Sequence, residues 1–334
     1  METNRKVLLV GGAGYIGSVM TGYLLDRGWH VRCFDQLIYE NQVCVSFYWG
    51  HPRYEFIYGD LTVPLQLDVA LEGVDDVVIL AGLVGDPITK KYPERSQAIN
   101  LDGILQVIRS LNGRGMNRVI FSSTCSNYGL IESGETADET FELNPLSLYA
   151  KAKVSVEEEL LSLQGQVDFH PTILRFATAF GLSPRMRFDL TVNEFTREMF
   201  LDRELLIYDA ETWRPYCHVQ DFSRIVDQVL IAPEEQVSFE VFNAGGECNN
   251  FNKQAIVDEI LRHFPNAPVK YKEKGSDPRN YKVNFSKIRN VLGFEPKYTV
   301  SDGIVELISV LQQNIFSRVE EQRNFYHNYE IKNY

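Results

Sequence analysis

Basic residues are in the minority in this chain of 334 residues: 33 Lys and Arg stand against 45 Asp and Glu, a formal net charge of −12. Binding a polynucleotide backbone requires basic residues that displace condensed counterions, so no nucleic-acid partner is expected, whereas a phosphorylated small molecule needs only a few local donors. Long apolar runs are absent. No uninterrupted stretch approaches the about 20 residues that a membrane-spanning helix requires, so no membrane partner is expected either. Cysteine is sparse: Cys33, Cys44, Cys125, Cys217 and Cys248 are odd in number, scattered, and form no C-x-x-C pair, which argues for reduced thiols and against a metal site. Met1 to Arg5 is polar and leads straight into Val7-Leu8-Leu9-Val10 without the charged, apolar, small order of a secretory signal, so a cytoplasmic location is expected. There is no internal repeat and no low-complexity linker.

What is present is alternation. Short apolar runs at Val7 to Val10, Val31 to Phe34, Phe56 to Tyr58, Val77 to Leu80, Val119 to Phe121 and Thr172 to Phe176 are separated by longer helix-like segments. Such alternation implies an α/β fold, a Rossmann-type doubly wound parallel sheet covered by helices. After Gly181 the rhythm breaks at Ser183-Pro184-Arg185-Met186-Arg187-Phe188. The expected division is a dinucleotide-binding domain over 1–180 and a smaller, mainly substrate-binding domain over 181–334, with the chain returning to the first domain around 218–246.

The first apolar run is followed at once by Gly11-Gly12-Ala13-Gly14-Tyr15-Ile16-Gly17 and then by a helix-like run. This strand, loop, helix order is the context a phosphate-binding glycine loop needs. Side chains there would hold backbone N–H groups away from a pyrophosphate, which also gains from the positive end of the helix dipole, and Gly17 lets the helix pack close to the sheet. The spacing satisfies G-x-G-x-x-G through Gly12, Gly14 and Gly17, and G-x-x-G-x-x-G through Gly11, Gly14 and Gly17. Asp35 ends the second apolar run at the distance where a carboxylate accepts from the adenosine ribose. It would repel a 2′-phosphate, and Gln36-Leu37 offers no positive charge, so NAD is favoured over NADP. Asp60 in Gly59-Asp60-Leu61 is placed beside the adenine.

Tyr149 and Lys153 are four residues apart in Pro145-Leu146-Ser147-Leu148-Tyr149-Ala150-Lys151-Ala152-Lys153, a segment of good helix formers with a proline suited to a first turn, and so share one helix face. A phenol with a pKa of about 10 is a poor base at neutral pH unless a nearby cation stabilises the phenolate, and Lys153 can supply that charge. With 17 tyrosines in the chain one Y-x-x-x-K is expected by chance, so position decides. The pair lies one helix length beyond Val119-Ile120-Phe121-Ser122-Ser123-Thr124-Cys125-Ser126-Asn127-Tyr128-Gly129, an apolar strand ending in hydroxyls, and strand ends are where open α/β sheets bind ligands.

Together the glycine loop, Asp35, Ala81-Gly82-Leu83, Asn100, the hydroxyl-rich strand end and Tyr149 with Lys153 resemble an extended short-chain dehydrogenase/reductase of the NAD-dependent nucleotide-sugar epimerase/dehydratase family. The resemblance extends over almost the whole chain, since Arg214-Pro215-Tyr216-Cys217-His218-Val219-Gln220-Asp221 and Leu292-Gly293-Phe294-Glu295-Pro296 also look like family segments. It implies that Tyr149 is the catalytic base, that Lys153 holds the nicotinamide ribose and depresses the tyrosine pKa, and that Thr124 hydrogen-bonds the reacting sugar oxygen. It further implies cofactor contacts from Gly11, Gly14, Tyr15, Ile16, Gly17, Asp35, Gln36, Asp60, Leu61, Leu80, Ala81, Gly82, Asn100, Ser122 and Phe176. Arg214 resembles the arginine that grips the nucleotide diphosphate, and Arg279 in Asp277-Pro278-Arg279 is a second candidate shifted in register. Thr178, Phe188 and Asn193 are read as substrate contacts, and Arg185 and Arg187 as facing either an anionic substrate or solvent. His218 is read as structural.

In 4,6-dehydratases of the family the two residues after this threonine are an acidic pair; here they are Cys125 and Ser126, and Cys125 is read as a small buried residue. That departure favours a nucleotide-sugar 4-epimerase working through a 4-keto intermediate, with a 4-dehydrogenase of the GDP-heptose type close behind and a 4,6-dehydratase third. A substrate without a nucleotide, or a small non-sugar alcohol, is disfavoured by Arg214 and the large C-terminal half. A catalytically silent NAD-binding regulatory protein is the alternative of another class, against which the intact Thr124, Tyr149 and Lys153 weigh. The resemblance also implies a homodimer through the helix of Tyr149, with Val154, Val156, Leu160 and Leu161 as contacts.

Overall fold

The computed structural model of the protein describes residues 4–131, 135–273, 275 and 279–331. In the first half each of the six apolar runs becomes a strand: β1 (Lys6–Val10), β2 (His30–Asp35), β3 (Tyr54–Tyr58), β4 (Asp76–Ile79), β5 (Arg118–Thr124) and β6 (Pro171–Phe176). β1, β4 and β5 carry runs of Val, Leu and Ile, are fully buried along most of their length, and pair in parallel, as expected of a sheet covered on both faces. A seventh strand, β7 (Glu240–Ala244), comes from far along the chain and pairs in parallel with β6, Phe242 opposite Leu174. The sheet order is 3-2-1-4-5-6-7, the doubly wound order of a Rossmann fold. It reverses between β1 and β4, and a crevice opens there at the carboxyl ends of the strands.

Helix α1 (Tyr15–Asp26) follows β1, and α2 (Leu148–Ser162) precedes β6. The first turn of α2 differs from the sequence expectation: Pro145 lies outside the helix, and Ser147 caps it instead, its hydroxyl accepting from the Ala150 N–H at 3.1 Å. A short polar side chain satisfies an otherwise orphaned helix N–H, which a proline cannot. Helical periodicity also corrects the expected dimer face. Val156 and Leu160 are fully buried against the sheet with Val107, Phe121 and Phe169, leaving Leu161 exposed and Val154 half-buried.

The remaining residues build a second lobe around Phe180, Met186, Phe188, Val192, Ile256 and Ile304. Its helices are α3 (Thr191–Phe200) and α5 (Val300–Leu311), while α4 (Val219–Ile231) packs on α1 in the first lobe. The lobes are tied at the glycine loop: Tyr15 donates its hydroxyl hydrogen to the Gly181 carbonyl at 2.5 Å, and Asn193 Nδ2 donates to the same phenol oxygen at 3.1 Å. The C-terminal segment then runs back across the crevice. Asn328 donates to Val84 O at 3.1 Å, Glu330 pairs with Lys91 at 2.6 Å, and Ile331 packs with Tyr39, Leu83 and Ile88. Among the described residues no helix is long and apolar enough to cross a membrane.

A buried ion pair fastens α2 to the sheet. Glu157 receives Arg175 Nε at 3.1 Å and Nη2 at 2.8 Å, Asn127 Nδ2 at 2.8 Å, and the hydroxyl of Ser123. Arg175 reaches on to Tyr128 Oη at 3.0 Å, which in turn donates to Asn243 on β7 at 2.7 Å. Removing one partner leaves the other charged in a dry interior, so Glu157→Ala is expected to cost about 3–5 kcal/mol in urea denaturation.

Candidate functional site

The loop between β1 and α1 is shaped by its glycines. Gly11 has φ +86°, and a Cβ on it would lie 2.7 Å from the backbone of Ala81; a Cβ on Gly17 would lie 2.7 Å from Gly11 O and Gly12 Cα. Gly12 instead presses against Cys33 of β2, so the register that frames the cradle is Gly11, Gly14 and Gly17. No side chain caps α1 at Gly14, and its first N–H groups face the cleft lined by Gly14, Tyr15, Ile16 and Gly17. Orphan amides at a helix start form a ready anion site. Across the loop Asp35 accepts from Ala13 N at 3.0 Å and Leu37 N at 2.7 Å. Burial raises its pKa, and those two N–H bonds oppose the rise. Each carboxylate oxygen retains capacity to accept a ribose hydroxyl.

One cleft collects most of the residues singled out from the sequence: the three glycines, Tyr15, Ile16, Asp35, Gln36, Asp60, Leu61, Leu80, Ala81, Gly82, Ser122, Thr124, Tyr149, Phe176, Thr178, Arg214 and Arg279 all line it. Asp60 also closes its own turn, accepting from the Thr62 N–H and hydroxyl at 2.8 and 2.7 Å. Lys153 stands behind the cleft wall rather than on it, and three more residues lie elsewhere. Asn100, on a π-turn (Ala98–Gly103), is 1% exposed and grips the loop behind the cleft, accepting from Leu83 N at 2.7 Å and donating to Leu83 O at 3.0 Å. Asn193 is fully buried between Gly181, Arg187 and Tyr15, and Phe188 sits in the second core against Phe316 and Tyr326. All three satisfy packing or backbone groups rather than face the cleft. Asp277 and Pro278, flanking Arg279, lie outside the described residues.

Thr124 ends β5, its Oγ1 accepting from Ser126 N at 3.1 Å, and Tyr149 stands on the first turn of α2. Lys153 lies one turn behind, 2% exposed, donating to Ser122 O at 2.6 Å with its Nζ 5.8 Å from the Tyr149 ring centre. Burial pulls its pKa down to about 7, and Glu157 one turn further on opposes the fall. Burial likewise pushes the Tyr149 phenol well above its ordinary value, and the guanidinium of Arg187 is the strongest opposing influence. Cys125 is 1% exposed, its thiol facing Arg175 O at 3.1 Å, with burial raising its pKa. Ser126 does line the cleft, receiving Arg279 Nη1 at 3.4 Å. His218 is fully buried, bonded to Glu306 at 3.0 Å and capping α4 through Gln220 N, as a structural histidine would be.

Sequence reasoning missed several cleft residues. Asp86 pairs with Arg279 at 3.4 Å, Asp189 holds Arg187 in a two-pronged pair at 2.9 and 2.6 Å, and Tyr39, Asn41, Tyr281, Asn328 and Tyr329 also line the wall. Nothing local marks Asn328 and Tyr329, because they arrive from the opposite end of the chain. The Ser183-Pro184-Arg185-Met186-Arg187 segment did carry a signal in its two arginines. The bare helix start, the glycine cradle and Asp35 fit a dinucleotide. Gly11, Gly14 and the first amides of α1 would hold its pyrophosphate, and Asp35 its adenosine ribose.

Comparison with known proteins accords with this geometry. The chain is 26% identical over 326 residues to UDP-glucuronic acid decarboxylase 1 of Arabidopsis thaliana, covering 94% of this chain and 72% of that protein. It is 24% identical to UDP-glucose 4-epimerase of Lactobacillus helveticus, covering 90% and 94%. Similar solved structures include dTDP-glucose 4,6-dehydratase from Bacillus anthracis in complex with NAD, with a TM-score of 0.81, 24% identity and coverage of 93% and 97%. UDP-glucuronic acid 4-epimerase from Bacillus cereus, in complex with UDP-glucuronic acid and NAD, gives a TM-score of 0.83, 23% identity and coverage of 92% and 99%. Residues 7–245, most of the chain, match the model of one family. The chain belongs to the NAD dependent epimerase/dehydratase family, and NAD is its cofactor.

Proposed function

We propose that the protein oxidises the carbon 4 hydroxyl of a nucleotide-activated sugar and returns the hydride to the other face of the 4-keto sugar, acting as a 4-epimerase. The observation that carries this reading is that Thr124 and Tyr149, from two different elements, line the same cleft as the glycine cradle, with Lys153 directly behind the tyrosine. NAD supplies the hydride acceptor and donor. Tyr149 takes the hydroxyl proton, and Thr124 donates a hydrogen bond to the sugar oxygen as charge develops on it. Lys153 holds the nicotinamide ribose. Arg214 and Arg279 face the substrate diphosphate, for which a planar guanidinium is geometrically suited. The second lobe provides the depth that a phosphorylated substrate needs.

Burial keeps the phenol protonated in the ligand-free cleft. A cation beside the bound substrate is therefore needed for Tyr149 to act as a base, and Arg187 joins Lys153 in that role. The positions that carry an acidic pair in 4,6-dehydratases hold a buried thiol, Cys125, and a hydroxyl, Ser126. Neither is a carboxyl group able to assist loss of water, which supports epimerisation over dehydration. A homodimer is the proposed assembly, with exposed Leu161 and half-buried Val154 the expected contacts of α2 left to contribute to it.

Substrate profiling tests the reaction. Purified protein incubated with UDP-, GDP-, dTDP- and CDP-sugars is expected to give a product inverted at carbon 4 by NMR, with no net change in nicotinamide absorbance. A ketone accumulating with reduced cofactor would identify a 4-dehydrogenase instead, and no reaction with any nucleotide sugar would reject the proposal. Tyr149→Phe is expected to lower kcat by about 10²–10⁴-fold while leaving NAD binding unchanged; undiminished turnover would remove Tyr149 from the mechanism.

Lys153 also has a signature in stability. Its pKa falls from about 10.4 in the unfolded chain to about 7 in the fold, so between these values the unfolded state binds more protons and stability rises with pH. Relative to Lys153→Met, the wild-type protein should gain up to about 1.4 kcal/mol per pH unit between pH 7 and 9 in urea melts of the NAD-free protein. A constant difference would show that the ammonium is not desolvated.

A further inference from the structure

Several buried polar atoms without a hydrogen-bond partner belong to side chains that line one corner of the cleft: Tyr39 Oη, Asn41 Oδ1, Arg185 Nε and Asn328 Oδ1. They come from three distant parts of the chain, namely the loop after β2, the segment that enters the second lobe, and the C-terminal segment. Native interiors satisfy nearly all such groups, so a cluster of orphans in one wall points to a ligand that completes them.

Arg185 is the most demanding of these residues. It is 1% exposed, and among the described residues the single hydrogen bond from its guanidinium is Nη2 to His327 O at 3.3 Å. The Tyr39 ring lies under it at 4.3 Å. The neighbouring carboxylate of Asp189 is engaged by Arg187, and among the described residues no carboxylate forms an ion pair with Arg185. A buried charge needs a counter-charge and hydrogen bonds to remain in a dry site.

The location restricts which anion can serve. Asn41 Nδ2 donates to Ala13 O at 2.7 Å, inside the glycine loop, and Asp35, the ribose acceptor, stands close enough to influence and be influenced by Arg185. The corner therefore adjoins the pyrophosphate cradle. Its composition is also informative: Tyr39 Oη and Arg185 Nε can donate to phosphate oxygens, and the two asparagine oxygens can accept from ribose hydroxyls. That mixture matches a ribosyl pyrophosphate better than a simple anion.

We propose that Arg185, from the second lobe, and Tyr39, from the loop after β2, clamp the pyrophosphate of NAD, and that the C-terminal segment closes this clamp through His327 O and Asn328. The proposal rests on the cleft being the NAD site. It makes the cofactor itself a tie between the lobes and the C-terminal segment.

Calorimetric titration of the full, NAD-stripped chain tests the clamp. Arg185→Met should weaken binding of NAD and of ADP-ribose by about 10–100-fold and leave adenosine binding unchanged; Arg185→Lys should recover part of the loss. The melting temperature of stripped Arg185→Met should be at or above that of the wild type, because an uncompensated charge has been replaced by an apolar chain of similar length, and the increase on adding NAD should shrink. Unchanged NAD affinity would overturn the proposal, as would a lower melting temperature of the stripped variant with a full response to NAD. If the loss falls only on UDP binding to the NAD-loaded protein, Arg185 serves the substrate diphosphate and the assignment to NAD is overturned. Failure of the wild type to bind NAD or ADP-ribose would remove the cofactor site itself, a result distinct from failure of the clamp alone.

Discussion

The buried pair of Glu157 and Arg175 holds in register the half of the cleft that contains Thr124 and Tyr149. Tyr149 and Lys153 ride on α2, Thr124 ends β5, and the pair joins that helix to β6 while its neighbours Ser123, Asn127 and Tyr128 join it to β5 and the turn beyond. A helix packed on a sheet by apolar contacts alone can slide by a fraction of a turn at small cost. Directional bonds to a charged group do not permit this, since any displacement leaves a desolvated charge with fewer partners. The same glutamate stands four residues beyond Lys153, so the group that positions the helix also sets the field at the lysine. Geometry and electrostatics of the site therefore share one anchor.

Much of this arrangement is legible in the sequence because it is local. The run Val7 to Val10 followed by glycines at fixed spacing can hardly be anything but a buried strand entering a helix through a bare loop, and Asp35 follows from where the next strand stops. Tyr149 and Lys153 are one turn apart wherever α2 begins, so the misplaced role of Pro145 did not disturb them. What was not legible depends on partners distant in sequence. Asn100, Phe188 and Asn193 have residue types compatible with ligand contact, but whether each turns toward the cleft or away depends on Leu83, Tyr326 and Tyr15 respectively. The C-terminal segment had no motif to announce it, because its role is to pass between other elements.

The cleft also separates local charge from overall charge. A chain with a net charge of −12 presents Arg185, Arg187, Arg214 and Arg279 to one cavity, all from beyond residue 180. Asp189 and Asp86 offset two of them, so the field is shaped rather than simply positive. The first lobe contributes mainly backbone N–H groups and a carboxylate, the second contributes cations. Under the proposed clamp, NAD would draw donors from both lobes, its pyrophosphate held by amides of the glycine loop on one side and by Arg185 on the other.

The seventh strand has a consequence for how the molecule is made. β6 gains its outer neighbour only when β7 arrives, roughly sixty residues later, which at about 5–20 residues per second is on the order of 3–13 s of synthesis. Until then the emerging chain carries the bare margin of a strongly apolar strand, the kind of surface to which other chains add. The intervening residues, among them α3 and α4, are synthesised during that interval. A ribosome that stalls within them would leave a nearly finished nucleotide fold with an adhesive border, making this stretch the point at which a chaperone has most to protect.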